Sequence, residues 1–151
     1  MIVKESRGEI LDQLNKLLTS SRDAEKGYQE AADNVKGTEL KNLFLAQSCQ
    51  RGEYTAELDR EIRALGGDAG SGTSLGSDLH RAWISVKSTL SGNSDKAVAE
   101  ECRRSDSEAL ANYSEVLEQT DVAASTRELL LNQKSKVKLA HSIMGRLALV
   151  V

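Results

Sequence analysis

Proline is absent from all 151 residues of the chain. Proline breaks a helix interior by removing an N–H and clashing with the preceding turn, at a cost of ~3 kcal/mol or more. Its absence permits long uninterrupted helices. Aromatics are scarce too, at 3% of residues: Tyr28, Phe44, Tyr54, Trp83 and Tyr113. A core must therefore come from Leu, Ala, Val and Ile, as in a thin helical bundle. Cysteine is limited to Cys49 and Cys102, which form neither a disulfide framework nor a metal-spacing motif. There is no excess of positive charge. The net charge is -3 and basic residues alternate with acidic ones, so the charge reads as a solvated face and not as the basic patch that nucleic acid requires. No apolar run approaches the ~18 residues of a membrane span, and the first residues lack a leader-like hydrophobic stretch. These absences lead us to expect a cytoplasmic protein with no nucleic-acid and no membrane partner.

What is present is helical periodicity. A first helix is expected over about 6–35, with Leu14, Leu18, Ser21, Glu25, Tyr28, Ala32 and Val35 on one stripe. Gly37 supplies a stop, and Thr38 is expected to cap a second helix running to Leu65. Its stripe carries Leu40, Phe44, Gln47, Arg51, Tyr54, Leu58 and Ile62. Residues 66–77 hold five glycines and no periodicity; they lack the Gly-Lys-Ser/Thr ending and preceding strand of a phosphate loop. A short amphipathic helix over about 78–90 carries Leu79, Trp83, Val86 and Leu90, and His80 reads as a hydrogen-bonding residue that docks it. Ser94 or Asp95 caps a third long helix running to about Gln119, with Cys102, Ser105, Ala109 and Tyr113 inward. Thr120-Asp121 is a turn and cap, and a last helix covers about 123–149 with Leu130, Val137, His141 and Met144 inward.

Two hairpins joined by a long crossover, here about 66–94, make a ferritin-like antiparallel four-helix bundle. The whole chain, 1–151, is expected to be one all-α domain with a short extra helix in the crossover. Ser21-Arg-Asp-Ala-Glu25-Lys-Gly-Tyr28 weakly echoes Arg104-Ser-Asp-Ser-Glu108 with Tyr113, the trace of a duplication or a chance match.

With both hairpin turns taken to lie at one end, counting outwards sets Glu25, Arg51, Glu108 and Lys134 or Lys138 at one level. Di-iron bundles carry a Glu on each of two helices and Glu-x-x-His on each of the other two. Here the second helix offers Arg51-Gly-Glu53-Tyr54 and the last Lys138-Leu-Ala-His141. A cation cannot donate to a metal. Three readings follow. Glu25, Arg51, Glu108 and Lys138 form a salt-bridged core layer, with Glu25 and Arg51 the best pair. Alternatively, Arg51 and Lys138 snorkel to water. In the third, Glu25, Glu53, Glu101, Glu108 and His141 hold iron or manganese. No serine elbow or Cys–His pairing supports nucleophilic catalysis.

The stretch Asp23-Ala24-Glu25-Lys26-Gly27-Tyr28, Leu65-Gly66-Gly67, Leu79-His80-Arg81-x-Trp83 with Lys87, Glu108 before Tyr113, and His141 together carry a resemblance. The chain resembles the bacterial ferritin-like four-helix proteins grouped as domain of unknown function 2383, related in fold to bacterioferritin and rubrerythrin. The resemblance covers essentially the whole chain. It implies a ferritin-like fold, a cytoplasmic location and a suspected stress-related role, with no established reaction. The missing Glu-x-x-His motifs count against iron storage and oxidase activity. The resulting expectation is a non-enzymatic bundle without cofactor, acting as a homo-oligomer, a dimer first, or with an unknown protein partner. The alternative is an iron-binding oxidoreductase with a degenerate site.

Overall fold

The computed structural model describes residues 4–70, 83, 86 and 94–151. They form four long helices, α1 over Lys4–Asn34, α2 over Thr38–Ala64, α3 over Asp95–Leu117 and α4 over Ala124–Ala148. α1 packs along α2 and α3 along α4, while α1 also meets α3 and α2 meets α4. This is the all-α four-helix bundle that the periodicity implies. Of the expected crossover helix, only Trp83 and Val86 are described, and both are helical and buried. His80, Lys87 and the rest of that segment lie outside the described residues.

The two turns lie at opposite ends of the bundle, which corrects the level count above. Asp95, the first residue of α3, accepts from the backbone N–H of Lys36 at 3.0 Å and of Gly37 at 2.8 Å. The α1–α2 turn therefore sits on the start of α3. At the far end Gln119 donates to Gln13 near the start of α1 at 2.6 Å, and Thr126 at the start of α4 donates to Glu61 near the end of α2 at 2.5 Å. α3 is thus antiparallel to α1 and parallel to α2. The end of α2 and the start of α3 therefore lie at opposite ends of the bundle, ~40 Å apart for a helix of α2's length.

Local chemistry sets the helix ends. Ser94 Oγ caps α3 by accepting from the Ala97 N–H at 3.2 Å. Thr38 does not cap α2: the N-cap is Gly37 in extended backbone, with no side-chain bond. The same holds for α4, whose N-cap is Ala123. Arg127 instead reaches back to the Leu117 and Gln119 carbonyls, at 2.8 Å each, and satisfies the end of α3. Leu65-Gly66-Gly67 closes α2 in a Schellman motif. Gly67 N–H bonds to the Ile62 carbonyl at 2.9 Å and Gly66 N–H to the Arg63 carbonyl at 3.0 Å, with Gly66 at φ 85°. Asn15 then anchors the following segment to α1 by donating to the Asp68 carbonyl at 3.2 Å and accepting from Gly70 N–H at 2.7 Å.

The apolar core is split in two. One half, built on Tyr28, Phe44, Trp83, Val98 and Met144, lies towards the α1–α2 turn. The other, built on Leu14, Leu18, Leu58, Ile62, Tyr113 and Leu130, fills the opposite end. Trp83 joins the first half by packing edge-on to Tyr28, with ring centroids 5.0 Å apart. Gly27 makes room for it, since a Cβ there would lie 2.3 Å from Trp83 Cε3. Between the two halves runs a layer of buried polar side chains.

Candidate functional site

Arg51 occupies an inward position of α2, one turn from Gln47 and one from Tyr54, and all three are buried. It is only 2% exposed, so its stem does not snorkel to water. Its guanidinium crosses the bundle to α3 and grips Asp106 with two parallel bonds, Nη1–Oδ1 at 2.7 Å and Nη2–Oδ2 at 3.0 Å. This fork-to-fork geometry is the strong form of an ion pair. Nη2 also donates to Gln47 Oε1 at 3.0 Å. From α1, the Tyr28 hydroxyl donates a short bond to Asp106 Oδ2, and its ring lies 5.2 Å from the guanidinium carbon. That distance is within cation–π range. Asp106 is 0% exposed, so three helices meet on one carboxylate that has no contact with water.

The fourth helix joins about two turns further along α3. Tyr113 of α3 donates to Gln133 Oε1 of α4 at 2.8 Å, and Gln133 Nε2 donates to Glu57 of α2 at 3.1 Å. Each buried polar group is thereby partnered, as burial requires. The exception is Arg51 Nε, which finds no acceptor among the described residues.

The electrostatics follow from this geometry. Burial works against the Arg51 charge, but Asp106 and Tyr28 more than offset it and hold the guanidinium protonated. Burial, reinforced by the Asp106 charge, pushes the Tyr28 phenol well above its ordinary value. Burial likewise raises Tyr113, and raises Tyr54 to about 12. Cys102, behind Asp106 on α3, is also pushed up by burial and then by that carboxylate, so it is an inert thiol. Cys49 is exposed on α2.

The sequence-expected layer is rearranged. Arg51 lies in it, but its carboxylate is Asp106 and not Glu25, because parallel α2 and α3 set residues 51 and 106 at one level. Glu25 is half-buried at the α1–α2 seam, where a Cβ on Gly52 would come within 3.1 Å of its carboxylate. Glu108 is half-buried, two residues past the inward Asp106 and so rotated away from it. Lys138 is exposed and stands in water as a snorkelling cation does. Asp106 was missed. Its signal was the three-four spacing Ala99, Cys102, Asp106, Ala109, Tyr113, which is as regular as the stripe drawn through Ser105.

The residues named for a metal are dispersed. Glu53 is exposed on α2, Glu101 pairs with Arg104 at 2.9 Å, and His141 Nε2 lies 2.9 Å from Ser107 Oγ. Among the described residues no group of three His, Cys, Asp or Glu side chains could hold a metal ion. The donor set at the bundle centre is one carboxylate already saturated by a guanidinium and a phenol. That set does not fit a di-iron centre, which needs several free carboxylate oxygens and imidazole. Nor, among the described residues, is any helix long and apolar enough to cross a membrane.

The family described as Domain of unknown function (DUF2383) matches residues 9–119. Among solved structures, the fold is similar to a Dps1 variant from Mycobacterium smegmatis. The TM-score is 0.76 at 15% identity, covering 97% of this chain and 99% of that one. It is also similar to a protein from Bacillus anthracis described as ferritin-like, diiron-carboxylate, with a TM-score of 0.70 at 19% identity, covering 97% and 96%. No curated protein matches. At these identities the likeness establishes the ferritin-like bundle and nothing of the chemistry.

Proposed function

We propose that this chain, which belongs to the family of the domain of unknown function DUF2383, is a ferritin-like bundle whose central layer is an ion pair in place of a metal centre, and that it acts by association. The observation that carries this reading is the bidentate Arg51–Asp106 pair, buried at 2% and 0% exposure. A fixed positive charge in the middle of the bundle repels a dication and occupies the carboxylate that would bind it. The bundle then offers surfaces and not a reaction centre. Leu131 and Leu139, two turns apart on α4 and more than half exposed, and Leu45 on α2 are the apolar points a second copy would cover. A homodimer is the first form of association we propose, with another protein as the second.

Two measurements test it. Thermal midpoints with ferrous or manganous ion, taken anaerobically, should not move, because a ligand that binds only the folded state must raise stability. A rise that Glu25→Ala abolishes would overturn the ion-pair reading. Sedimentation of the purified chain should show a dimer that Leu131→Glu with Leu139→Glu dissociates. A strict monomer that retains no partner would overturn the association reading.

A further inference from the structure

A groove of about 500 Å³ lies between α3 and α4, lined by Glu100, Arg103, Arg104, Ser107 and His141. That volume is in the range of small-molecule sites. Arg104 is engaged by Glu101 at 2.9 Å. Arg103 is exposed, and its guanidinium meets no acceptor among the described residues. It packs against Gly145 of α4, where a Cβ would come 2.9 Å from Nε and 3.1 Å from Cζ. Gly145, having no Cβ, therefore leaves room for the guanidinium at the groove. His141 stands one helical turn before Gly145. Ser107 Oγ donates to the Arg103 carbonyl at 3.1 Å and lies 2.9 Å from His141 Nε2. With its one hydrogen on the Arg103 carbonyl, the Ser107 oxygen is free to accept from a protonated His141 Nε2. Burial, and then the Arg103 charge, hold His141 below its ordinary pKa, with buried Asp106 opposing.

We propose that this groove binds a phosphate monoester, with Arg103 as its bidentate donor, Arg104 as a second cation and His141 as the group that takes up a proton on binding. A planar guanidinium matches two phosphate oxygens. The groove exceeds the size of a bare phosphate, which favours an ester carrying a further group. Glu100, also in the lining, opposes the anion. The site is independent of the reading of the ion-pair layer, and either can fail alone.

The test is a titration of isotope-labelled protein with glycerol phosphate, inorganic phosphate and acetate, following the His141 ring by NMR. Glycerol phosphate should shift the ring saturably and raise its pKa, because an anion beside Arg103 removes the charge that depresses it. Arg103→Gln should weaken binding about tenfold, the equivalent of ~1.4 kcal/mol, with an unchanged thermal midpoint. Gly145→Ala keeps the net charge but displaces the guanidinium, and should also weaken binding. Glu100→Gln should tighten it. A shift linear in ligand, equal binding of acetate or of inorganic phosphate, or an undiminished affinity in Gly145→Ala would overturn the proposal.

Discussion

Arg51 and Asp106 lie 55 positions apart in the chain and meet in two parallel hydrogen bonds of 2.7 and 3.0 Å at the centre of the bundle. The pair joins two parallel helices that no short turn connects. It fixes the level of α3 against α2, because a slip of α3 by one residue turns Asp106 out of reach.

Arg51→Met should destabilise the chain by ~3–5 kcal/mol, since it strands a buried carboxylate. Asp106→Asn should cost a similar amount by stranding the guanidinium. Replacing both by apolar residues, Arg51→Met with Asp106→Leu, should cost less than the sum by ~1 kcal/mol or more. Urea midpoints at constant slope read all three. A loss within ~0.5 kcal/mol for Arg51→Met, the size of a surface substitution, would mean that Arg51 lies in water.

The three tyrosines predict alkaline behaviour. Tyr28, Tyr54 and Tyr113 all have folded pKa values above the unfolded value of ~10. A raised folded value stabilises fully below the unfolded pKa and is lost as pH rises through the folded one. Stability should therefore fall from pH ~10 upwards. Tyrosinate absorbance should stay low in native protein at a pH where the urea-unfolded chain has already titrated. Normal titration of native protein near pH ~10 would contradict the burial of these hydroxyls.

Gly27→Ala should destabilise by ~1–3 kcal/mol as an overpacking change, although alanine favours a helix interior. The new Cβ meets Trp83 at 2.3 Å. Gly27→Ala with Trp83→Leu should recover part of the loss beyond additivity, measured by the same unfolding midpoints. An unchanged or raised midpoint for Gly27→Ala alone would place Trp83 elsewhere.

Much of the fold was legible because helix formation is local. Absent proline, the spacing of Leu14, Leu18, Tyr28 and of Leu40, Phe44, Arg51, and the Leu65-Gly66-Gly67 ending all act within a few residues. Caps were read less well, because Thr38 and Asp121 were assigned a role that Gly37 and Ala123 fill without a side-chain bond. The site was half legible. Arg51 was found because a cation on an apolar stripe stands out. Its partner is not legible, because a small aspartate between Ser105 and Ser107 looks like surface and because no local signal says that the two turns lie at opposite ends of the bundle.

From its residues alone, the chain determined that it would be helical, where each helix would run and which stripe each would bury, since these follow from periodicity and propensity along a continuous backbone. Only the tertiary structure decided that Asp106, not Glu25, neutralises Arg51. That choice depends on the direction in which α3 runs diagonally across the bundle from α2, and the pairing of charges across a bundle is set by distance in space, which a linear order of residues does not carry.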